Sequence, residues 1–190
     1  MRLATTLLIL LLILLLALAP AGATEAGWAL LRNGGHVVLL RHANITGSTE
    51  PANFDIDKCA TQRNLSERGR QQARKIGALF AARAAPVERV LSSRYCRCLD
   101  TARMSFEREP EPFAPLDPPP ADQAGKAAQM AAIIGQVRDF SGSGNLVMVT
   151  HLEDIQELTG ISPREGEAVI VTPKGEDEGE GLRVLGRIAF

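Results

Sequence analysis

The apolar run Val37–Leu40 ends in two side chains that can do chemistry, Arg41 and His42. A buried strand usually ends in turn residues such as glycine or asparagine, so a cation and an imidazole at this place are unusual. The guanidinium fork of arginine binds phosphate or carboxylate through two hydrogen bonds. Histidine acts as a nucleophile or as an acid or base near neutral pH. The dipeptide alone also fits an ordinary surface position at the end of a strand.

Two further apolar segments end in residues of the same kind. Glu88–Leu91 is followed by Ser92-Ser93-Arg94-Tyr95-Cys96-Arg97, and Asn145–Thr150 is followed directly by His151. The carboxyl ends of neighbouring parallel strands meet at one edge of a sheet, and helix amino ends beside them contribute N–H groups. No acidic cluster that would bind magnesium or calcium follows these strands. The sequence therefore predicts a metal-free phosphoryl pocket lined by Arg41, His42, His151 and a second arginine, either Arg94 or Arg97.

Strand and helix patterns alternate along the chain and place these residues at strand ends. Strands are predicted at His36–Leu40, Glu88–Leu91, Asn145–Thr150, Ala168–Thr172 and Leu182–Phe190. Helices are predicted at Ala26–Arg32, from a cap at Ser66 to about Ala84, and at Tyr95–Phe106, Ala121–Phe140 and Leu152–Leu158. The proline-rich stretch Pro110–Pro120 is predicted to be an irregular flap or crossover loop. This order predicts an α/β fold, a three-layer α/β/α sandwich around a mainly parallel sheet.

Residues 1–23 have the pattern of a secretory signal peptide. Arg2 is the only charge before Glu25, Leu7–Ala19 is apolar, and Ala21-Gly22-Ala23 is a small-residue cleavage pattern. Cleavage near Ala23 would leave residues 24–190 as one domain and predicts a periplasmic or secreted protein. The alternative is a retained membrane anchor, because the apolar stretch from Leu3 is nearly as long as a transmembrane helix. Contact with a membrane is expected only in that case.

The charge of the chain gives no support for nucleic-acid binding. The sequence has 21 basic and 22 acidic residues and a formal net charge of −1. Nucleic-acid-binding domains usually carry a strong basic excess. We therefore expect no nucleic acid among the partners.

The three cysteines of an exported protein predict one disulfide and one unpaired thiol. Cys96 and Cys98 are too close in the sequence for an easy mutual bridge, so Cys59 would pair with one of them. A metal site is disfavoured, because the chain has no CxxC pair and its histidines are scattered.

Four segments, taken in order over about Gly34–Gly160, resemble the histidine phosphatase superfamily, which has the phosphoglycerate-mutase-like fold. They are Val38–His42, Leu65–Ala73, Ser92–Ala102 and Val147–His151. The cysteine pattern, with Cys59 before Gln62 and Cys96 before Arg97, is similar to that of exported bacterial members such as lipopolysaccharide core heptose-phosphate phosphatases. We therefore predict the pairing Cys59–Cys96, which closes the polar loop onto the helix start that carries Arg97.

The resemblance implies a role for each residue of the pocket. His42 matches the nucleophile that takes the phosphoryl group as a covalent phosphohistidine. Arg41 and Arg97 match the arginines that bind the phosphate oxygens and neutralise their charge in the transition state. His151 matches the second histidine, which hydrogen-bonds the phosphate. Asn44 lies where members of the family often add a polar phosphate contact.

The general acid is the place where the sequence departs from the family pattern. Members of the family have a carboxylate either after the third segment or directly after the second histidine, where this chain has Leu152. An alkoxide leaving group needs such an acid, whereas a phosphoramidate or acyl phosphate needs it less. Four carboxylates are candidates: Asp117, Asp122, Glu153 and Asp154.

Together with the resemblance, these residues predict an exported phosphomonoesterase that acts through a phosphohistidine on His42, without a metal or another cofactor. Its partner would be a phosphorylated substrate of unknown class, a sugar phosphate being one candidate. The alternative is a catalytically weak phosphate-binding module on the same fold. A Cys/His metalloprotein is a third interpretation.

Overall fold

Six strands form one sheet between two layers of helices. The computed structural model describes residues 19–175, 177, 179 and 181–190, with side chains from residue 24 onward. The elements in chain order are α1 (Ala19–Asn33), β1 (Val37–Arg41), α2 (Glu67–Ala82), β2 (Val87–Ser92), α3 (Cys96–Phe106), β3 (Glu111–Pro112), α4 (Gln123–Asp139), β4 (Asn145–Thr150), α5 (Leu152–Thr159), β5 (Ala168–Pro173) and β6 (Leu182–Ile188). Short 3-10 turns at Cys59–Thr61 and Ala114–Leu116 lie in the connections.

The strand order in the sheet is β3-β2-β4-β1-β5-β6. Strands β1 to β4 run parallel to one another, and β5 and β6 form an antiparallel edge. In the paired register Arg41 lies opposite Thr150, and Ser92 lies opposite Val149. The carboxyl ends of β1, β4 and β2 therefore meet at one edge of the sheet. The predicted three-layer α/β fold with a mainly parallel sheet is confirmed.

Alternate residues of the central strands bury their side chains on opposite faces, because successive side chains of a strand point in opposite directions. Val38 and Leu40 pack in the same core cluster as residues of α1, α2 and α3. Val37 and Leu39 pack in a second cluster with residues of α4 and α5. Helices cover both faces of the sheet, which explains why the central strands are continuously apolar.

Several predicted element ends agree with the structure. The strand β4 has the predicted bounds, and Ser66 caps α2 by accepting a hydrogen bond from Gly69 N at 3.0 Å. Gly160 ends α5 in the left-handed conformation, with φ 71°. Within the predicted loop Pro110–Pro120, regular structure is limited to the 3-10 turn and to the two residues of β3, which pair with the edge of β2. A proline is tolerated there because an edge strand needs hydrogen bonds on one side only.

The first helix is longer than the sequence pattern indicates. It begins at Ala19 instead of Ala26, and its additional residues include three alanines and a proline, which is tolerated in a first turn. The predicted cleavage point after Ala23 lies within this helix, whereas most of the predicted signal peptide lies outside the described residues. None of the described helices has the length and apolar character that crossing a membrane requires.

Candidate active site

The sheet brings His42 and His151 side by side. The His42 N–H extends the pairing of β1 and β4 by donating to Thr150 O at 3.0 Å. The two imidazole rings lie 5.5 Å apart, centroid to centroid. Both residues are buried, with 4 % and 1 % of their surface exposed. The two predicted pocket histidines therefore share one enclosed site at the end of neighbouring strands.

The His42 ring is a neutral imidazole with one free nitrogen. Its Nδ1 lies 2.9 Å from Ala43 O, and because a carbonyl oxygen only accepts, Nδ1 carries the hydrogen. Burial lowers the pKa of His42 to about 3, and the positive charges of Arg97 and Arg41 act in the same direction. The Nε2 lone pair is therefore available at neutral pH to attack an electrophilic atom.

Arg97 lies in the first turn of α3 and is buried between polar and aromatic partners. Its Nη1 donates to Glu50 Oε1 at 2.6 Å, and its Nη2 donates to His151 Nδ1 at 3.3 Å. Its Cζ lies 4.5 Å from the centroid of the Tyr95 ring. Its Nε is buried and has no hydrogen-bond partner.

Arg41 has the same kind of unsatisfied nitrogen. Its Nη1 donates to Pro163 O at 2.8 Å, its Nη2 lies 3.9 Å from Glu165 Oε1, and its Nε has no partner. Among the described residues, the buried side-chain atoms without a partner are these two arginine Nε atoms and Asn64 Oδ1. A buried donor without an acceptor costs about 1–3 kcal/mol. Two such donors beside His42 are the expected signature of a site that binds an anion.

His151 is held by a chain of hydrogen bonds that ends at Asp117. Because Arg97 donates to Nδ1, the hydrogen of the ring lies on Nε2, which donates to Ser93 Oγ at 2.9 Å. Ser93 Oγ in turn donates to Asp117 Oδ1 at 2.9 Å. Burial lowers the pKa of His151 well below its usual value, so the ring is neutral. Sequence reasoning missed Ser93, although Ser92-Ser93 at a strand end was a visible signal.

The structure places the four predicted general acids in different surroundings. Asp117 is paired with Arg94, whose Nε donates to Asp117 Oδ2 at 2.7 Å. Asp122 caps α4 by accepting from Gly125 N at 2.7 Å. Glu153 is exposed in the first turn of α5, and Asp154 is fully buried below the site.

Asp154 forms a buried network with residues of three elements. Its Oδ2 lies 2.6 Å from Thr150 Oγ1, and its Oδ1 accepts from Gln129 Nε2 at 3.2 Å. Thr150 Oγ1 also lies 2.9 Å from Leu116 O, an atom that only accepts. The single hydroxyl hydrogen of Thr150 therefore goes to Leu116 O, and Asp154 supplies the hydrogen of the other contact. Burial raises the pKa of Asp154 to about 8, which agrees with a protonated carboxyl group.

The predicted disulfide is confirmed, since Cys59 and Cys96 are bonded with their Cα atoms 5.6 Å apart. The bridge ties the loop after β1 to the first residue of α3, directly before Arg97. Cys98 is unpaired and buried, with its Sγ 3.5 Å from His151 Nε2. Burial raises the pKa of this thiol, so it acts as a small buried side chain and not as a thiolate.

The segment Leu65–Ala73 positions the backbone next to His42. Asn44 O accepts from the Ser66 N–H at 3.0 Å, and a Cβ at Gly69 would overlap this carbonyl group. The segment is therefore structural, and its glycine is needed for close approach. The side chain of Asn44 donates to Glu165 Oε2 at 2.7 Å. A contact of Asn44 with phosphate stays a prediction.

Glu50 is a pocket carboxylate that sequence reasoning did not identify. It lies in the polar loop after β1, and its carboxylate pairs with the buried Arg97. No sequence pattern marks it, because the contact depends on the path of a loop that the disulfide fixes. No three or more His, Cys, Asp or Glu side chains within the described part of the chain are grouped so that they could hold a metal ion.

Residues 37–117 match the family model of the histidine phosphatase superfamily (branch 1). The matched segment carries Arg41, His42 and Arg97. The match covers 81 of the 190 residues, and over this segment the chain is similar to members of that superfamily. No curated protein is similar enough to the chain to match it.

Solved structures share the fold of this chain over most of both chains. The protein histidine phosphatase SixA complexed with tungstate is 18% identical, with a TM-score of 0.56, over 81% of this chain and 96% of the other. A mycobacterial glucosyl-3-phosphoglycerate phosphatase is 16% identical, with a TM-score of 0.57, over 80% and 97%. A phosphoserine phosphatase from Entamoeba histolytica is 11% identical, with a TM-score of 0.54, over 81% and 96%. At these identities the similarity shows a common fold.

Proposed function

We propose that the protein is a phosphatase that hydrolyses phosphomonoesters through a phosphohistidine on His42. The observation that carries the proposal is the neutral His42 ring, with its free Nε2, beside two arginines whose Nε donors lack an acceptor. A phosphate group would supply acceptor oxygens to both arginines. The match to the superfamily supports the same activity, and so do the phosphatases among the proteins of similar fold.

In this mechanism the arginines and His151 position the phosphoryl group. Arg41 and Arg97 donate to its oxygens and stabilise the charge that spreads over them in the transition state. His42 Nε2 attacks phosphorus, forming an N–P bond as the ester P–O bond breaks. The electron pair of the broken bond leaves with the substrate oxygen. Water then attacks the phosphohistidine, releases phosphate and regenerates His42.

We propose a polar substrate and an oxidising compartment for this protein. A cavity of about 470 Å³ next to Arg41 is lined by polar and charged side chains, among them Arg68, Gln72 and Arg164, which suit a polar substrate such as a sugar phosphate. The cysteine pattern supports a relation to heptose-phosphate phosphatases. The disulfide is typical of an oxidising compartment, so we propose that the protein is periplasmic or secreted. We propose that it needs no metal and binds no nucleic acid.

A phosphate-binding module of low activity is the second candidate. It is favoured by the placement of the four predicted acids, of which Asp117, Asp122 and Asp154 are each engaged in structural hydrogen bonds and Glu153 is exposed. Such a module would bind phosphate in the same pocket but would turn over esters poorly.

Hydrolysis of an aryl phosphate in the presence of a chelator separates these functions. Wild type, His42→Ala and the matched control His36→Ala, which changes a histidine outside the pocket, are compared with p-nitrophenyl phosphate. We expect His42→Ala to lose about 10³-fold or more in kcat, while His36→Ala keeps the wild-type rate. Equal rates in wild type and His42→Ala would reject His42 as nucleophile. Inactivity of the wild type with retained phosphate binding would favour the binding module.

A further inference from the structure

The loop of residues 44–58 carries Glu50, whose carboxylate forms an ion pair with Arg97, the arginine that the substrate would need. We propose that Glu50 is the general acid of the reaction, held on Arg97 until the phosphate of the substrate displaces it and then protonating the leaving group. The inference rests on the proposed phosphatase function and assigns the one catalytic role that the sequence leaves open.

The first step follows from competition for a single guanidinium group. Glu50 Oε1 lies 2.6 Å from Arg97 Nη1, and only 7% of the Arg97 side chain is exposed, so the group has little room for additional partners. Its Nη2 faces His151, and its planar face lies over Tyr95. A phosphate that satisfies the unpartnered Nε would place a second anion beside the Glu50 carboxylate. Neighbouring like charges repel, so phosphate binding moves the carboxylate away from Arg97.

The second step concerns the protonation of the displaced carboxylate. Away from Arg97 it loses its stabilising cation, and beside a bound phosphate it gains a negative neighbour. The displaced carboxylate takes up one proton from the solvent, and it returns one proton to the solvent when it pairs with Arg97 again after turnover.

The carboxyl group also stays close to the pocket after its displacement. Its Oε2 accepts a hydrogen bond from Arg63 N at 2.9 Å. The disulfide ties the end of the same loop to Cys96, the residue before Arg97. Glu50 is therefore an acid tethered beside Arg97, the arginine that would bind the phosphoryl group.

The proton then has a defined path. As the His42 N–P bond forms and the ester P–O bond breaks, the leaving oxygen takes the electron pair and the proton of the Glu50 carboxyl group. In the second half of the reaction the Glu50 carboxylate takes a proton from the water that attacks phosphorus, and the P–N bond breaks to free His42. One residue thus serves as acid and then as base, and the proton balance closes over one turnover.

The remaining carboxylates near the pocket are held by other partners. Asp117 accepts from Arg94 and Ser93, and Asp154 is buried against Thr150. Glu165 accepts from Asn44 and lies 3.9 Å from Arg41 Nη2. Glu50, in contrast, is 29% exposed and its contact with Arg97 is one that phosphate itself would replace.

The test compares leaving groups that differ in their need for a proton. Wild type, Glu50→Gln and the control Asp57→Asn, which removes an exposed carboxylate from the same loop, are assayed with p-nitrophenyl phosphate and with β-glycerophosphate. A nitrophenolate leaves without an acid, whereas a glycerol alkoxide needs one. We expect Glu50→Gln to lose about 10²-fold or more in kcat on β-glycerophosphate and less than about fivefold on p-nitrophenyl phosphate. Asp57→Asn should match wild type on both.

Inhibition by inorganic phosphate gives the second readout. Glu50→Gln should bind inorganic phosphate several-fold more tightly than wild type, because the variant lacks the carboxylate that competes for Arg97. The assignment is overturned if the rates of Glu50→Gln are unchanged, fall equally on both substrates or rise on both. It is also overturned if Glu50→Gln binds phosphate with the affinity of wild type. So would a wild type that hydrolyses only the aryl ester. A wild type that hydrolyses neither substrate would instead reject the proposed function. His42-dependent hydrolysis without a leaving-group effect at Glu50 would reject this inference alone.

Discussion

Replacing the buried Asp154 by asparagine should stabilise the protein at neutral and alkaline pH. The protonated carboxyl group of Asp154 donates to Thr150 and accepts from Gln129. An asparagine amide can make the same contacts, with its nitrogen donating to Thr150 Oγ1 and its oxygen accepting from Gln129 Nε2. The variant therefore keeps the network and cannot ionise.

The size and sign of the effect follow from the pKa of Asp154, which burial raises from 3.8 to about 8. Below pH 3.8 the carboxyl group is protonated in both the folded and the unfolded chain. Between pH 3.8 and 8 the unfolded chain releases the proton and the folded chain keeps it, so wild-type stability falls by about 1.4 kcal/mol per pH unit. Above pH 8 the loss is complete. Asparagine has no such loss, so its advantage over wild type should grow by about 4 kcal/mol from pH 5 to pH 8.

Urea unfolding of the two proteins at pH 5, 6, 7 and 8 measures this difference directly. Glu153→Gln is the matched control, because it removes an exposed carboxylate one residue away and should show no comparable change with pH. A stability difference between Asp154→Asn and wild type that stays constant over this range, or that shrinks as the pH rises, would refute the protonated network.

Three further predictions test other parts of the structure. The double variant Cys59→Ser/Cys96→Ser opens a loop with a sequence separation of 37 residues and should lower the free energy of unfolding by about 4 kcal/mol. Dithiothreitol should destabilise wild type by the same amount and leave the variant unchanged. An unchanged urea midpoint in the variant would contradict this prediction. The imidazole NMR signals of His42 and His151 should keep neutral-ring shifts from pH 5 to 8 without ligand, because burial lowers both pKa values; a titration near pH 6.5 would argue against this. Asp122→Ala removes the cap of α4 and should lower the free energy of unfolding by about 1 kcal/mol while kcat is unchanged. A large loss of kcat would instead support Asp122 as the general acid.

Much of the fold could be predicted because its signals are local. The continuous apolar run of β4 marks a strand that is buried on both faces, and Ser66 marks the start of a helix through its capping geometry. The charged residues at strand ends predicted the pocket because parallel strands align their carboxyl ends. That inference needs no knowledge of the loops.

The parts that sequence reasoning missed depend on contacts between distant segments. Glu50 reaches Arg97 only because the loop that carries it folds back across the pocket. The protonation of Asp154 depends on a threonine hydroxyl that already donates to Leu116 O, a contact between segments far apart in the chain. The edge strand β3 forms by pairing with β2, and proline-rich composition alone predicts no strand there.

The central claim is the phosphohistidine on His42. Wild type and His42→Ala are mixed with a phosphate ester, quenched within milliseconds under alkaline conditions that preserve phosphohistidine, and digested for mass spectrometry. We predict a phosphoryl mass increment on the peptide that contains His42 in wild type, and none in the variant. Turnover of the ester with no phosphopeptide, or with the phosphoryl group on another residue, would contradict the account.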